Sequence, residues 1–210
     1  MNNNLITAGV DEAGRGPVIG PMVIACVVLD AEIASRFEAL GVKDSKLVPQ
    51  KKRSDLYNII LDESLFVSTY VAWPHLIDEY VTNKSLNVLE SDVIANIIDS
   101  IPLNCSVIVD SPSGPELFKK NIQKELKINT SFNIKCCFKA DRDYICVGAA
   151  SIVAKVLRDD IIESLKPDFG DFGSGYPSDP KTKKYLLKQN INTEIVRKTW
   201  KTYSQLNLQI

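Results

Sequence analysis

Apolar positions along the chain fall into short runs rich in β-branched residues, and these runs alternate with segments of helical spacing. Leu5 to Val10 and Val18 to Leu29 are two such runs, read as strands joined by a turn that carries glycine and proline. Ala31 to Leu40 has helical spacing closed by Gly41, and Gln50 to Leu61 has it again with Pro49 near its start. Leu65 to Ala72 reads as a strand, Lys84 to Ile98 as an amphipathic helix, and Ser106 to Val109 as a short strand that delivers Asp110 at its carboxyl end. Pro115 to Ile128 predicts a helix, Phe132 to Phe138 a strand, and Ile145 to Leu165 a long apolar-faced helix that ends before Pro167. Strands alternating with helices predict an α/β sandwich on a mixed sheet. Gly170 to Pro180, dense in Gly, Ser, Pro and Asp, reads as a functional loop leading into a small helical tail from Lys181 onward. The expected division is a main unit over 1–170 and a C-terminal loop and helical segment over 171–210.

The chain has 210 residues, of which 45% are hydrophobic and 24% charged, a balance that predicts a water-soluble folded domain with room for a small appendage. The apolar stretch from Val18 to Leu29 is broken by Gly20 and Pro21 and follows Asp11, Glu12 and Arg15 rather than a basic leader. Neither a signal peptide nor a membrane anchor is expected from it. Five cysteines, at 26, 105, 136, 137 and 146, sit in apolar runs without CxxC spacing, which predicts reduced, buried thiols in a cytoplasm. The net charge of -1 gives no support to nucleic-acid binding. Its distribution does more, because Lys181, Lys183, Lys184, Lys188, Arg197, Lys198 and Lys201 face only Asp179 and Glu194 from Tyr176 onward. A basic tail beside an acidic body suits either a phosphate-gripping arm or a solvated charged helix.

His75 is the sole histidine, follows Trp73-Pro74 and reads as a surface residue at a helix entry, so serine-histidine catalysis and histidine-rich metal sites have little to work with. Chemistry must run on carboxylates. Asp11 and Glu12 follow a predicted strand, and neighbouring acids repel unless a proton or a cation intervenes. Asp110 and Asp141 are further acids just beyond predicted strands, and strands presenting the same end would let these carboxylates converge. Caps and turns are the lesser, competing account of such acids when spacing is the sole guide. Where they do converge, an oxygen-only set without His or Cys selects a hard divalent ion, Mg²⁺ or Mn²⁺. Gly14-Arg15-Gly16 precedes Pro17 instead of a helix and lacks the Lys-Ser/Thr pair of a nucleotide-cradling loop. It reads as a turn that exposes backbone beside the acids, with Arg15 a candidate phosphate contact, although structural turns take the same form.

The segment from Gly9 to Val23, with Gly9-Val10-Asp11-Glu12-Ala13-Gly14-Arg15-Gly16-Pro17 at its start, closely resembles the amino-terminal signature of ribonuclease HII. Val42-Lys43-Asp44-Ser45-Lys46, Val109-Asp110, Lys139-Ala140-Asp141, Ala149-Ala150-Ser151 through Lys155, Arg158-Asp159 and Gly173-Ser174-Gly175-Tyr176-Pro177 follow in the family's order. The last of these and Val196-Arg197-Lys198-Thr199-Trp200 look like the archaeal branch. The resemblance implies a ribonuclease H-like mixed sheet flanked by helices, with a tetrad of Asp11, Glu12, Asp110 and Asp141 holding two divalent ions. It implies that Gly14, Arg15 and Gly16 meet the ribonucleotide and its 2′-hydroxyl, that Tyr176 packs on the sugar at the RNA-to-DNA junction, and that Lys46 lies near the scissile phosphate. Ser151 and Lys155 are expected to serve core packing more than chemistry. Leu47 stands where the family usually has a second lysine, and Asp143 is a rival to Asp141 for the fourth acid.

The implied activity is endonucleolytic cleavage of the RNA strand in RNA/DNA hybrids and at single ribonucleotides in duplex DNA, leaving 3′-hydroxyl and 5′-phosphate ends. Its expected uses are removal of misincorporated ribonucleotides and of RNA primers, by a monomer. The alternative is a non-catalytic hybrid-binding subunit of a larger complex, against which the presence of all four acids argues. Gln205 to Ile210 shows no obvious sliding-clamp motif, which leaves replication partners open.

Overall fold

β2 (Met22–Leu29) is buried at every residue, which explains why its sequence is a continuous apolar run instead of an alternating one. It lies second in a five-stranded sheet of order β3-β2-β1-β4-β5. The other strands are β1 (Thr7–Ala13), β3 (Phe66–Ala72), β4 (Ser106–Asp110) and β5 (Asn133–Cys137). β1 pairs antiparallel with β2 and β2 with β3, whereas β1 with β4 and β4 with β5 are parallel. The sheet is therefore mixed. The computed structural model describes residues 5–43, 45–127, 132–189 and 191–207. Asp44, Ile128 at the expected end of a helix, and the tail after Asn207 lie outside them.

Helices cover both faces. α3 (Pro74–Asn83), α4 (Leu86–Asp99) and α5 (Pro115–Glu125) close a core with Ala8, Val10, Met22, Ile24, Val107 and Val109. α1 (Ala31–Leu40), α2 (Gln50–Glu63) and α7 (Ile145–Phe169) close a second with Val23, Ala25, Val27 and Ile108. The period of two along each strand divides its side chains between these cores. α7 lies directly on β1, because a Cβ at Gly9 would fall 2.1 Å from the Cys146 carbonyl carbon. A short helix, α6 (Ala140–Asp143), links β5 to α7, and α8 (Pro180–Leu186) and α9 (Lys201–Asn207) end the chain.

Several boundaries differ from the sequence reading. β1 continues through Asp11 and Glu12 to Ala13 instead of ending before them, because β2 still pairs with it there, Asp11 opposite Ala25, after its ladder with β4 has stopped at Val10. α7 runs on past Pro167 to Phe169. Proline loses one helical hydrogen bond there, but Gly170 N–H still bonds the Lys166 carbonyl at 2.8 Å and closes the last turn. α3 starts at the helix entry expected beside His75, with Pro74 in its first turn as the start signal, and runs to Asn83. The tail is not one helix: Val196 forms an isolated bridge with Ile19, and Phe172, Tyr185, Leu186, Ile195 and Val196 share a third core with Val18, Ile19 and Ile162.

Candidate active site

The three parallel strands end on one side of the molecule, and the acids sit at those ends. Pleat alternation puts Asp11 on the α7 face of the sheet with Gly9, whereas Glu12 faces α4. Asp110 is on the α7 face with Ile108, and the Val10–Val109 register brings it beside Asp11. Its Oδ1 accepts a 2.7 Å hydrogen bond from the Ala140 N–H, which fixes the start of α6 and so the place of Asp141. The turn feeding that helix needs the left-handed conformation, taken by Lys139 at φ 57°. Asp11 and Asp141 are buried, while Asp143 is exposed.

A cleft of about 240 Å³ opens here, with Asp11, Glu12, Asp110, Lys46, Ser151 and Tyr176 among its walls. Gly14, Arg15, Gly16 and Lys155 also line it, and Asp141 does not. The structure thus brings the sequence-derived residues together around one opening, with Asp141 behind it. Ser151 and Lys155, read as packing residues, reach the cleft as well. The Ser151 hydroxyl is 3.0 Å from that of Ser45 and hydrogen-bonds Asp11. Lys155 donates to Asp159 at 2.6 Å.

The acids are electrostatically frustrated. Burial, then the charge of Asp110, pushes the Asp11 carboxyl up to about 8, with Asp141 adding to the rise and the Ser151 hydrogen bond opposing it. Glu12 is pushed well above the carboxylate range by burial and then by Asp11, Glu90 and Asp110. Like charges in a desolvated site favour protonation unless a cation neutralises them. All the donors are carboxylate oxygens, the set a hard divalent ion takes. As placed, no three His, Cys, Asp or Glu side chains among the described residues form a ready ligand cage, consistent with Asp11 and Glu12 leaving opposite faces of one strand. The donor chemistry and the charge imbalance fit a divalent cation.

A family model described as ribonuclease HII matches residues 8–203. The chain belongs to the ribonuclease HII family. It is accordingly a hydrolase, an endonuclease of the ribonuclease H type. The ribonuclease HII of Methanococcus maripaludis strain C6 is 43% identical over 212 residues, covering 98% of this chain and 88% of the relative. The crystal structure of ribonuclease H2 from Pyrococcus horikoshii OT3 superposes with a TM-score of 0.88 at 38% identity, covering 98% of each chain. A complex of PCNA with ribonuclease HII from Archaeoglobus fulgidus contains a chain matching at TM-score 0.84 and 39% identity, over 95% of this chain and 96% of that one. The mixed sheet with its flanking helices is thus the ribonuclease H-like fold.

Glu90 has no place in the sequence reading, and Arg158 and Arg197 stand there only as motif members or tail charges, whereas all three are buried. Arg15, the candidate phosphate contact, lines the cleft, is paired with the Glu90 carboxylate and donates to Asn87 at 2.6 Å. Burial raises Glu90 above its usual range while the Arg15 guanidinium pulls it back. Arg197, counted above as part of a basic tail, has no solvent exposure. It donates to the carbonyls of Gly20 at 3.0 Å, Arg15 at 3.0 Å and Gly14 at 2.6 Å. Burial lowers its pKa to about 9, and the nearby Arg158 contributes to the fall. A single-sequence charge count cannot separate such a guanidinium from a solvated one; its place between Val196 and Trp200 was the available hint.

All five cysteines are free thiols, four of them buried and Cys137 half-buried. Among the described residues no helix is long and apolar enough to cross a membrane.

Proposed function

We propose that the cleft hydrolyses the RNA strand of RNA/DNA hybrids and cuts at single ribonucleotides embedded in duplex DNA, with Asp11, Glu12, Asp110 and Asp141 as the catalytic acids. The observation that carries this reading is the shared wall: Asp11, Glu12 and Asp110 line the same opening as Gly14, Arg15, Gly16 and Tyr176. Acids for phosphodiester chemistry and a backbone turn for sugar recognition thus meet within one nucleotide's reach.

The four carboxylates would hold two divalent ions, Mg²⁺ or Mn²⁺, which when bound supply an activated water and charge stabilisation at the phosphate. The chain's own residues do the rest. Ser151 orients Asp11 through its hydrogen bond, and the Ala140 N–H orients Asp110. Lys46, exposed on the rim, offers a cation to the scissile phosphate. Backbone groups of Gly14 to Gly16 meet the 2′-hydroxyl, the one group that separates RNA from DNA at a given site. Across from them the Tyr176 ring packs on the sugar, and Gly16 leaves the gap open because the nearest atom to a Cβ there is Tyr176 Cε1 at 3.8 Å. Products carry 3′-hydroxyl and 5′-phosphate ends, and the biological task is removal of misincorporated ribonucleotides and RNA primers.

Lys183, Lys184 and Lys188, exposed after the Gly173-Ser174-Gly175 loop, are positioned for duplex phosphates. The segment 171–210 contributes in this way to substrate binding by the main unit, 1–170. The protein acts as a monomer in the cytoplasm, where its free thiols stay reduced. A sliding clamp is a further partner by analogy with the Archaeoglobus fulgidus complex.

The test is a duplex with one embedded ribonucleotide, incubated with Mg²⁺, Mn²⁺ or EDTA. Cleavage with either ion, none in EDTA, and none by Asp11→Asn is the expected pattern. Binding without cleavage in all three would replace this reading with a non-catalytic hybrid-binding role.

A further inference from the structure

We propose that Arg197 and Arg158 are positioning residues that hold the Gly14-Arg15-Gly16 turn and Tyr176 in register, and that this register sets the discrimination between ribose and deoxyribose. The inference rests on the ribonucleotide reading above and adds to it the residues that shape the reader.

Arg197 has no acidic partner within ion-pair distance among the described residues, and its side chain is fully buried. Its three hydrogen bonds all go to carbonyls of one segment, 14–20. An apolar side chain of equal volume would avoid the cost of burying the charge, but would leave buried carbonyls without donors. Only the guanidinium fork reaches three of them together. The consequence for the turn follows from peptide planarity. In a trans peptide the carbonyl and the next N–H point in opposite directions. Holding the Gly14 and Arg15 carbonyls toward Arg197 therefore turns the N–H groups of Arg15 and Gly16 away from it. Trp200 adds a third hold, donating from Nε1 to the Gly16 carbonyl at 3.1 Å, while its ring stacks 4.9 Å from the Arg197 guanidinium.

Arg158, on α7, ties this turn to the tyrosine. Its guanidinium lies 5.2 Å from the centre of the Tyr176 ring and donates to the Ser174 carbonyl at 3.2 Å. The same side chain abuts the turn, since a Cβ at Gly14 would come 2.4 Å from Arg158 Nε. Gly14 has φ 88°, a conformation that favours glycine and brings the backbone against that guanidinium. The gap between turn and ring is thus spanned by one side chain from below.

The experiment measures affinity in an Asp11→Asn background, which prevents turnover, for two duplexes that differ only in one 2′-hydroxyl. The quantity read is the ratio of the all-DNA Kd to the ribonucleotide Kd. Arg197→Lys, Arg158→Lys and Trp200→Phe should each lower that ratio, by roughly 10-fold for Arg197→Lys, the worth of one aligned hydrogen bond, with all-DNA affinity little changed. Thermal melting reports folding separately, and Trp200→Phe keeps the test open should the arginine variants not fold. Lower melting temperatures with an unchanged ratio would reduce both arginines to structural roles and overturn the inference alone. A parent that shows no preference for the ribonucleotide would overturn the ribonucleotide reading and this inference with it.

Discussion

Asp110 accepts its hydrogen bond from the backbone N–H of Ala140, the residue immediately before Asp141. One acid therefore anchors the turn that presents another. Charge and anchoring can be separated at this position. Asp110→Asn keeps an acceptor for the N–H and removes a repulsive charge, so it should melt no lower than the parent without metal. Asp110→Ala loses the anchor and should cost about 1–3 kcal/mol. Both should be inactive on the ribonucleotide duplex, and melting curves distinguish them.

The raised Asp11 pKa gives the metal-free protein a pH dependence of known sign. The folded-state value of about 8 lies above the ordinary 3.8, so the folded state binds this proton more tightly than the unfolded one. That contribution to stability is full below about 3.8, declines as pH rises toward 8, and is lost above it. Metal-free melting temperature should fall across that window, and Asp11→Asn should flatten the fall. Each kcal/mol recovered is worth about 2–4 °C in a domain of this size.

The same protons compete with cations. Mn²⁺ affinity, measured calorimetrically, should rise as pH increases toward about 8, with proton release that diminishes over the same range. Pre-saturation with the ion should raise the melting temperature.

Gly9 offers a packing test that changes no charge. A Cβ there would overlap the backbone of Cys146, which has no flexible end to move aside. Gly9→Ala should lift α7 from β1 at a cost of about 1–3 kcal/mol or more. Because α7 carries Ser151, activity should fall further than stability does, as judged by rates at a temperature where the variant is fully folded.

The basic tail calls for point variants, since truncation after Pro180 would also remove Tyr185, Leu186, Ile195 and Val196 from the third core. Lys181 is already engaged with Asp171 at 2.6 Å. Replacing Lys183, Lys184 and Lys188 by alanine should reduce the slope of log affinity against log salt by about 1 for each phosphate no longer neutralised. An unchanged slope would assign these lysines to the solvated surface.

The sheet and its acids were legible because both follow local rules. β2 announced itself by the apolar run that ends at Leu29, although it starts at Met22, after Gly20 and Pro21, and not at Val18; Asp110 did so by its place after three β-branched residues. The end of α7 was misread because a proline in a final turn costs one hydrogen bond and not the helix. The entry to α3 was legible at Trp73-Pro74, but its length was not, because ten residues carry few turns of apolar periodicity. The buried ionic framework was not legible at all. Nothing near Glu90 in sequence points to Arg15, 75 residues away, and nothing near Arg197 points to Gly14. Such pairs are made by the tertiary fold, and a period or a spacing carries no trace of them.

The distance along the chain between Arg197 and Gly14, 183 residues, bears on how the protein comes into being. Synthesis produces the glycine turn 183 residues before its anchor. A nascent chain can thus assemble its sheet and gather its acids while the 14–16 turn is still unsupported. On this order of events the register of that turn is set after the sheet and its acids are in place.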